Sequence, residues 1–173
     1  MKNIIKIATY RSPCGDLLLG AIDKWLCLCD WKESGHHKRM IGRLLKHFDV
    51  EIQEGGNYVI DMAQGQLDEY FGNRRKVFTV PLLPVGTEFQ KKVWDGLATI
   101  PFGETLSYQK MAQRLGMDNS VRALANANGA NALSIFIPCH RVIGSDGKLT
   151  GYAGGIDTKR YLLNLEKGSR PLF

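Results

Sequence analysis

A cysteine, a histidine and an arginine follow one another at Cys139, His140 and Arg141, directly after Pro138. A thiolate is a strong, soft nucleophile, an imidazole can accept the thiol proton, and a guanidinium nearby favours thiolate over thiol. The apolar residues 134–137 predict a buried strand that Pro138 ends. The sequence therefore predicts nucleophilic cysteine chemistry at a strand end, with the imidazole acting as a base directly or through a water molecule.

Two other interpretations of Cys139 compete with a reactive thiol. A buried cysteine commonly packs as a small inert side chain, but the polar residues beside Cys139 argue against such an environment. Adjacent Cys-His is poor zinc-ligand spacing, and the chain has no Cys-x-x-Cys. The pair His36-His37 and the pair Cys27/Cys29 add no convincing site. We therefore expect no metal.

The composition is that of an ordinary soluble globular protein, with 173 residues, 44% hydrophobic and 23% charged. No apolar run approaches the roughly 18 residues that a membrane helix needs, and no secretory signal is evident at the N-terminus. Four cysteines in a chain of this length do not resemble a disulfide framework, so we expect a cytoplasmic protein with no membrane partner. The net charge of +6 is compatible with a polyanionic partner and equally with solubility alone.

The elements before the cysteine motif predict a mixed N-terminal domain. Residues 6–33 contain apolar β-formers around a Ser-Pro-Cys-Gly turn, and the unbroken apolar run 25–29 is typical of a strand covered on both faces. Apolar residues at helical spacing predict helices within 36–48 and 62–73, the second with Met62 on its apolar face.

The segment 80–87 carries two prolines and a glycine and is the best linker candidate. We place a domain boundary near Val85, which gives an N-terminal domain of residues 1–85 and a C-terminal domain of residues 86–173.

A helix is expected directly after this linker. Thr87 is a plausible N-cap, and Pro101 stops the helix. Its apolar residues share one face: Phe89, Val93, Trp94 and Leu97.

The next two elements predict a helix-turn-helix. One helix lies within 108–115 and a second within 120–130. Gly116 can act as the C-cap of the first, and Asn119 or Ser120 as the N-cap of the second. Helix, short glycine-containing turn and helix is the pattern of many DNA-binding proteins, although such pairs also occur without DNA binding.

The second of these helices has an unusual composition. Residues 120–130 are almost all small, and only Arg122 is long. Major-groove readers use long polar side chains. A helix of small residues with one projecting arginine fits close approach in a minor groove. The alternative is that its alanines and glycines pack against the protein core.

Several motifs in order resemble the O6-alkylguanine-DNA alkyltransferases, the methylated-DNA–protein-cysteine methyltransferases of bacterial and archaeal type. The resemblance covers about half of the chain in detail, and the N-terminal "SPCGDLLLGAID" is similar in a looser way. The motifs are "FQKKVW", "PFGETLSYQKMA", "VRALANANGAN", "IPCHRVIGSDGKLTGYAGG" and "KRYLLNLE".

The resemblance implies direct-reversal DNA repair. Cys139 would attack the alkyl carbon on guanine O6, with O4-alkylthymine as a second candidate substrate, and would keep the alkyl group irreversibly after one turnover. Glu166 would orient His140, which would take the thiol proton through a water molecule. No cofactor is implied. From its local sequence alone, Glu166 would be interpreted as a solvated carboxylate on a short helix.

The resemblance also implies how the base is reached. The partner would be double-stranded DNA containing O6-alkylguanine, bound through its minor groove by a monomer. Arg122 would fill the space left by the flipped nucleotide, and Tyr108 would assist flipping and donate a proton towards guanine N3. Asn131 would be a hinge between the helix-turn-helix and the active-site turn, and Ser120 and Ala123 would join it as DNA-binding residues.

For the alkylated base itself, the resemblance implies a pocket at the end of the cysteine motif. The carbonyls of Cys139 and Val142 would bind the guanine amine. Tyr152 would flank the pocket, Ala153 would contact O6 through its backbone N–H, and Gly154 with Gly155 would let the backbone come close. The chain departs from many members at Ala132, where they have a proline, and from some members at Ala153, where they have a serine.

The resemblance implies an α+β fold with a ribonuclease H-like N-terminal domain and a winged-helix-like C-terminal domain that carries the chemistry. Three other functions compete with transfer. Alkyltransferase-like proteins flip the base but lack the cysteine, which is present here. A helix-turn-helix transcription factor would need more long side chains on the reading helix. A cysteine hydrolase would need an oxyanion hole, for which no motif is evident.

Overall fold

A mixed four-stranded sheet forms the centre of the N-terminal half in this computed structural model, which describes residues 2–168. β1 (Asn3–Ser12), β2 (Gly15–Ile22) and β3 (Trp25–Trp31) pair antiparallel in succession, and β4 (Val50–Glu54) pairs parallel to β1. The strand order is β3-β2-β1-β4. The sequence did not predict the short β4.

Helices cover both faces of this sheet. α1 (His36–His47) packs Met40 and Leu44 on one face, and α2 (Tyr58–Phe71) packs on the other face together with the C-terminal half. Every residue of β3 after the first is buried, as expected for a strand covered on both sides. The helix predicted from residue 62 begins earlier, at Tyr58, and Met62 lies on its exposed side rather than its apolar face.

The C-terminal half is mainly helical. α3 spans Glu88–Leu97, and its N-terminus has the predicted cap: the Thr87 hydroxyl accepts from the backbone N–H of Gln90, whose side chain accepts from the backbone N–H of Thr87. Phe89 is partly exposed, so the apolar face is narrower than predicted. The remaining elements are β5 (Leu106–Ser107), α4 (Tyr108–Arg114), α5 (Val121–Gly129), β6 (Val142–Ile143) and α6 (Ile156–Glu166).

The predicted pair of helices is present as α4 and α5. Gly116 adopts a left-handed conformation (φ 68°) just past α4, and the backbone N–H of Met117 reaches back to the Ala112 carbonyl at 2.7 Å. This bond satisfies one of the last carbonyls of the helix, as in other helices that end at a C-cap glycine. Ser120 is the N-cap residue of α5, but its side chain makes no capping hydrogen bond.

The strand predicted at residues 134–137 is not present, so that prediction was wrong. Only a short stretch pairs with the edge of β3, where the Ser134 N–H donates to the Cys29 carbonyl at 2.8 Å. The chain then turns sharply, with Ile135 in the left-handed region (φ 73°) and the Ile137 N–H bonded to the Leu133 carbonyl. The run is apolar because the turn is buried on all sides, which periodicity alone cannot distinguish from a buried strand.

The two halves share one apolar core. Cys29 and Trp31 of β3 lie in the same cluster as Leu133 and Ile135. The expected linker is ordered beside β3 as well, since the N–H of Leu26 donates to the Pro81 carbonyl at 2.9 Å. Within residues 2–168, no helix is long and apolar enough to cross a membrane. The last five residues of the expected C-terminal domain lie outside the described residues.

Candidate active site

Cys139 lies directly after the tight turn, where a single 3₁₀ turn, Cys139–Arg141, follows Pro138. The cysteine is only 5% exposed. Burial raises the pKa of its thiol to about 11, and a hydrogen bond from Asn131 and the positive charge of Lys159 only partly oppose the rise. The sulfur is therefore a thiol at neutral pH, and a nucleophilic reaction there requires a proton acceptor.

His140 is held in a form that can accept a proton. Its Nε2 lies 2.6 Å from Oε2 of Glu166, and because a carboxylate only accepts, Nε2 carries the hydrogen. Burial lowers the pKa of His140, although Glu166 opposes the change, so the ring is neutral at neutral pH. Its Nδ1 is buried and has no hydrogen-bond partner among the described residues. The free lone pair of the imidazole is therefore at Nδ1.

The Glu166 carboxylate accepts hydrogen bonds from several parts of the chain. Besides His140, the carboxylate accepts from the Tyr70 hydroxyl at 2.6 Å, from Arg141 Nε at 2.7 Å and from the Gly103 N–H at 3.4 Å. Burial alone would raise the pKa of Glu166, but His140 and Arg141 hold that pKa well below its usual range. A carboxylate that stays ionised fixes the tautomer of His140 and stabilises its imidazolium.

The positive charge that acts on Cys139 comes from a different residue than expected. Arg141 does not serve the thiol, because its guanidinium is bound to Glu166 and donates to the Ile100 carbonyl at 2.6 Å. Lys159 of α6 takes that role. Its Nζ is fully buried and donates to the carbonyls of Val142 (2.7 Å) and Thr150 (2.9 Å). Burial lowers the pKa of Lys159 to about 8.

Tyr108 and Asn128 connect the cysteine to an open cleft. The Asn128 side-chain amide donates to the Tyr108 hydroxyl and to the Cys139 carbonyl, both at 3.4 Å. Both residues line a cleft of about 890 Å³, whereas Cys139 lies behind them. Burial raises the pKa of Tyr108, while hydrogen bonds with Thr150 and Asn128 lower it. The tyrosine hydroxyl is therefore protonated and able to donate at the cleft surface.

The opposite wall of the cleft includes Tyr152 and Ala153 and rests on the N-terminal sheet. The Trp31 indole N–H of β3 donates to the Tyr152 hydroxyl at 3.1 Å. A Cβ on Gly154 would lie 2.9 Å from three atoms of the Trp31 ring, so only glycine fits there. Gly155 adopts φ 90°, a conformation that also favours glycine, at the start of α6.

The exposed side of α5 borders the same cleft. Arg122 is exposed, and no hydrogen bond or ion pair of its side chain occurs within residues 2–168. Ala123 is exposed beside it, and Ser120 is partly exposed at the helix start. This surface of α5 therefore carries small side chains and one long, positively charged side chain, Arg122, as the sequence predicted.

Two expected site residues lie inside the protein. The Asn131 side chain donates to the Ile137 carbonyl at 2.9 Å and accepts from the Leu133 N–H at 2.9 Å, so it ties the buried turn together. It is only 3% exposed, which places it away from a DNA-facing surface. The carbonyl of Val142, expected to bind the guanine amine, already accepts from Lys159 and has one lone pair left.

Sequence reasoning missed three residues of this site: Tyr70, Asn128 and Lys159. Tyr70 lies in a helical pattern that is typical of core packing, and Asn128 lies in a helix composed mainly of small residues. Lys159 carried a usable signal, because it falls on the face of α6 that also buries Leu162 and Leu163. A lysine on a buried helix face is rarely without a function or a specific set of partners.

Comparison with known proteins identifies the family of the chain. Residues 88–168 match the family described as 6-O-methylguanine DNA methyltransferase, DNA binding domain. The methylated-DNA–protein-cysteine methyltransferase of Methanosarcina acetivorans is 52% identical over 159 residues, which cover 92% of this chain and 96% of that protein. The constitutive enzyme of the same name from Bacillus subtilis is 51% identical over 171 residues, covering 92% and 93% of the two chains.

A solved structure shows the same relationship over almost the full length. The crystal structure of Mycobacterium tuberculosis OGT in complex with DNA superimposes with a TM-score of 0.79 at 38% identity, covering 98% of this chain and 96% of that chain. The shared length and the degree of identity leave no other assignment: the chain belongs to the methylated-DNA–protein-cysteine methyltransferase family.

Proposed function

We propose that the protein repairs DNA by moving the alkyl group of O6-alkylguanine to its own Cys139. The carbon–oxygen bond at O6 breaks as the sulfur–carbon bond forms, and the bonding electrons leave with the guanine. The thioether that results is stable, so each chain acts once. The observation that carries this proposal is the hydrogen-bonded set around His140, which combines an anchored Nε2 with an unpartnered, buried Nδ1 beside the cysteine in sequence.

The proton of the thiol must leave for this reaction to proceed. His140 Nδ1 takes it through a water molecule, and Glu166 stabilises the imidazolium that forms. Lys159 lowers the cost of negative charge on Cys139. Tyr108 donates its hydroxyl proton towards N3 of the departing guanine, which develops negative charge as the bond to O6 breaks.

The alkylated base lies inside the duplex and must be flipped out before the transfer. The exposed Arg122 fills the vacated space from the minor groove, while the small residues around it, Ser120 and Ala123, allow close approach. The flipped base enters the cleft between Tyr108 and Tyr152. There the carbonyls of Cys139 and Val142 bind its amine, and the backbone N–H of Ala153 faces O6.

The same proposal extends to the architecture and the working form. The crossover from β3 through α1 to β4 suits a ribonuclease H-like N-terminal domain, and α3 to α5 with β5 and β6 suit a winged-helix-like domain after a boundary near Val85. Asn131 acts as the hinge between helix and active-site turn. The working form is a cytoplasmic monomer on double-stranded DNA, and the four free thiols fit a reducing compartment.

Intact mass measurement tests the transfer directly. The protein is mixed with a duplex containing one O6-methylguanine, and the expected result is a gain of one methyl group per chain, mapped to the Cys139 peptide. Cys139→Ser should gain none, whereas Cys14→Ser should react normally. A label on Cys14, Cys27 or Cys29 with active Cys139→Ser would overturn the mechanism. Binding without any mass gain would indicate a damage-binding protein instead.

A further inference from the structure

The C-terminal end of α5 is held by three donors from other elements. The last carbonyls of a helix have no partner within the helix itself. Here the Trp94 indole N–H donates to Ala127 at 2.9 Å, His36 Nε2 lies 2.7 Å from the Gly129 oxygen, and Arg43 Nη1 donates to the carbonyl that follows the helix at 2.8 Å. Trp94 belongs to α3, but His36 and Arg43 both belong to α1 of the N-terminal half.

His36 is held at both ring nitrogens. Its Nε2 faces the Gly129 carbonyl, which can only accept, so Nε2 carries a hydrogen, and its Nδ1 pairs with the carboxyl group of Asp30. Asp30 is fully buried, and its other oxygen accepts from the Trp31 N–H at 3.0 Å. The buried carboxyl group of Asp30 therefore holds the imidazole against the end of α5.

Arg43 places a positive charge at the same helix end. Its Nη1 also lies 3.3 Å from the Val85 carbonyl, and the guanidinium stacks 5.9 Å from the Trp94 ring centroid. Cations at the C-terminus of a helix are favoured by the helix dipole as well as by the hydrogen bonds. Two donors of one helix, His36 and Arg43, thus fix the far end of α5, opposite to the end that carries Arg122.

We propose that His36 and Arg43 are positioning residues for the reaction on duplex DNA, and that α1 sets the angle at which α5 enters the groove. The nine residues of α5 span about 13 Å, so a tilt of about 5° at the fixed end moves the Arg122 end by about 1 Å. A displacement of that size is enough to impair a reaction that depends on geometry. The inference rests on the proposed function, because it assigns α5 to base flipping.

The test compares two substrates that differ in their need for α5. His36→Ala and Arg43→Ala should each lower the rate with an O6-methylguanine duplex by about tenfold, the loss expected when a carbonyl at the end of α5 is left without its donor. Their rates with free O6-benzylguanine should stay close to the unmodified protein. Arg43→Lys should recover most of the duplex rate, because it keeps a charged donor. Lys46→Ala removes the same charge from an exposed position of α1 and should change neither rate.

A double-mutant cycle separates positioning from general stability. If α1 acts through the Arg122 end of α5, His36→Ala should cost little further in an Arg122→Ala background. An equal fall with both substrates or the same loss in Lys46→Ala would each overturn the proposal, as would an additive loss in the cycle when Arg122→Ala itself slows the duplex reaction. If Arg122→Ala alone leaves the duplex rate unchanged, the flipping role fails instead, and a selective duplex loss in Arg43→Ala would still support the action of α1.

Discussion

The hydroxyl of Tyr70 donates a 2.6 Å hydrogen bond to Oε2 of Glu166, the same oxygen that accepts from His140. Tyr70 lies on α2 and is separated from Glu166 by 96 residues of sequence. The N-terminal half therefore contributes directly to the charge distribution behind the candidate nucleophile. Every donor to Glu166 weakens it as a base, and so limits how strongly it raises the proton affinity of His140.

Tyr70→Phe is expected to shift the pH dependence of transfer. With one donor fewer, Glu166 becomes a stronger base and the pKa of His140 rises, so the acid limb of the single-turnover rate should move to higher pH. Loss of the buried bond should also cost about 1–2 kcal/mol of unfolding free energy, measured by urea titration. Tyr58→Phe removes an exposed hydroxyl from the same helix and should change neither quantity.

Glu166→Gln is expected to slow the chemistry without weakening DNA binding. The amide cannot stabilise an imidazolium, so proton transfer to His140 should slow the reaction about 100-fold, within the range that a general base contributes. The loss should be similar for the duplex and for free O6-benzylguanine, while affinity for undamaged duplex stays unchanged. Glu104→Gln is the matched exposed control. An unchanged rate and pH profile would reduce Glu166 to a structural residue.

The stability of the protein should depend on Glu166 in acid. Its pKa is lower in the folded chain than the ordinary value of 4.5, so the ionised group stabilises the fold above that pH. This contribution is lost as the pH falls from 4.5 towards the folded-state pKa. The difference in unfolding free energy between the unmodified protein and Glu166→Gln should therefore shrink below pH 4.5. A constant difference across that range would contradict the assignment of an ionised, paired carboxylate.

The main elements were predictable because each has a local signal. Thr87 is the predicted N-cap of α3, and Gly116 is the residue that a left-handed C-cap of α4 needs. Both were confirmed. The apolar run before Pro138 carries no such signal, since burial on all sides gives the same letters for a strand and for a turn. Its sharp bend depends on Ile135 in a conformation that β-branched residues rarely adopt.

The candidate site was predictable only where residue chemistry or the family resemblance pointed to it. The chemistry of adjacent Cys139 and His140 indicates a reactive site, but nothing in the local sequence distinguishes Tyr70 from a core tyrosine. Its hydroxyl matters because of a partner far away in sequence. Lys159 illustrates the same limit: the sequence offered Arg141 as the nearest cation, and only the fold shows that Arg141 is occupied by Glu166.

Lys159→Met is expected to slow transfer to both substrates equally. Without the nearby positive charge the pKa of the Cys139 thiol rises further, so deprotonation costs more. A pH series of the rate with free O6-benzylguanine should show this loss. Arg160→Met removes a neighbouring exposed charge and should have no effect.

The stability of the same variant gives an independent check with a defined sign. The pKa of Lys159 is about 8 in the folded protein, against an ordinary value of 10.5, so between these values the unfolded chain binds more protons. The unmodified protein should therefore gain unfolding free energy relative to Lys159→Met as the pH rises from 8 to 10.5. A difference that stays flat over this interval would mean that Lys159 is solvated.

Arg122→Ala is expected to separate base flipping from the chemistry. Arg122 is the long side chain on a helix face otherwise made of small residues, and it is exposed at the edge of the cleft. If it fills the space left by the flipped nucleotide, free O6-benzylguanine, which needs no flipping, should react at nearly the normal rate. The duplex reaction should drop markedly, because unstacking a base costs a few kcal/mol, about the amount that an inserted side chain must offset.

The affinity for undamaged duplex sharpens the interpretation of this variant. Removing one charge among many should weaken binding only slightly and reduce its salt dependence by about one counterion. Arg114→Ala, an exposed arginine in the last turn of α4, tests whether any loss of positive charge has the same effect. An Arg122→Ala protein that loses both reactions equally would show that the arginine supports the fold or the pocket. A loss shared by Arg114→Ala would instead show that the surface charge, and not insertion into the base stack, drives the reaction on DNA.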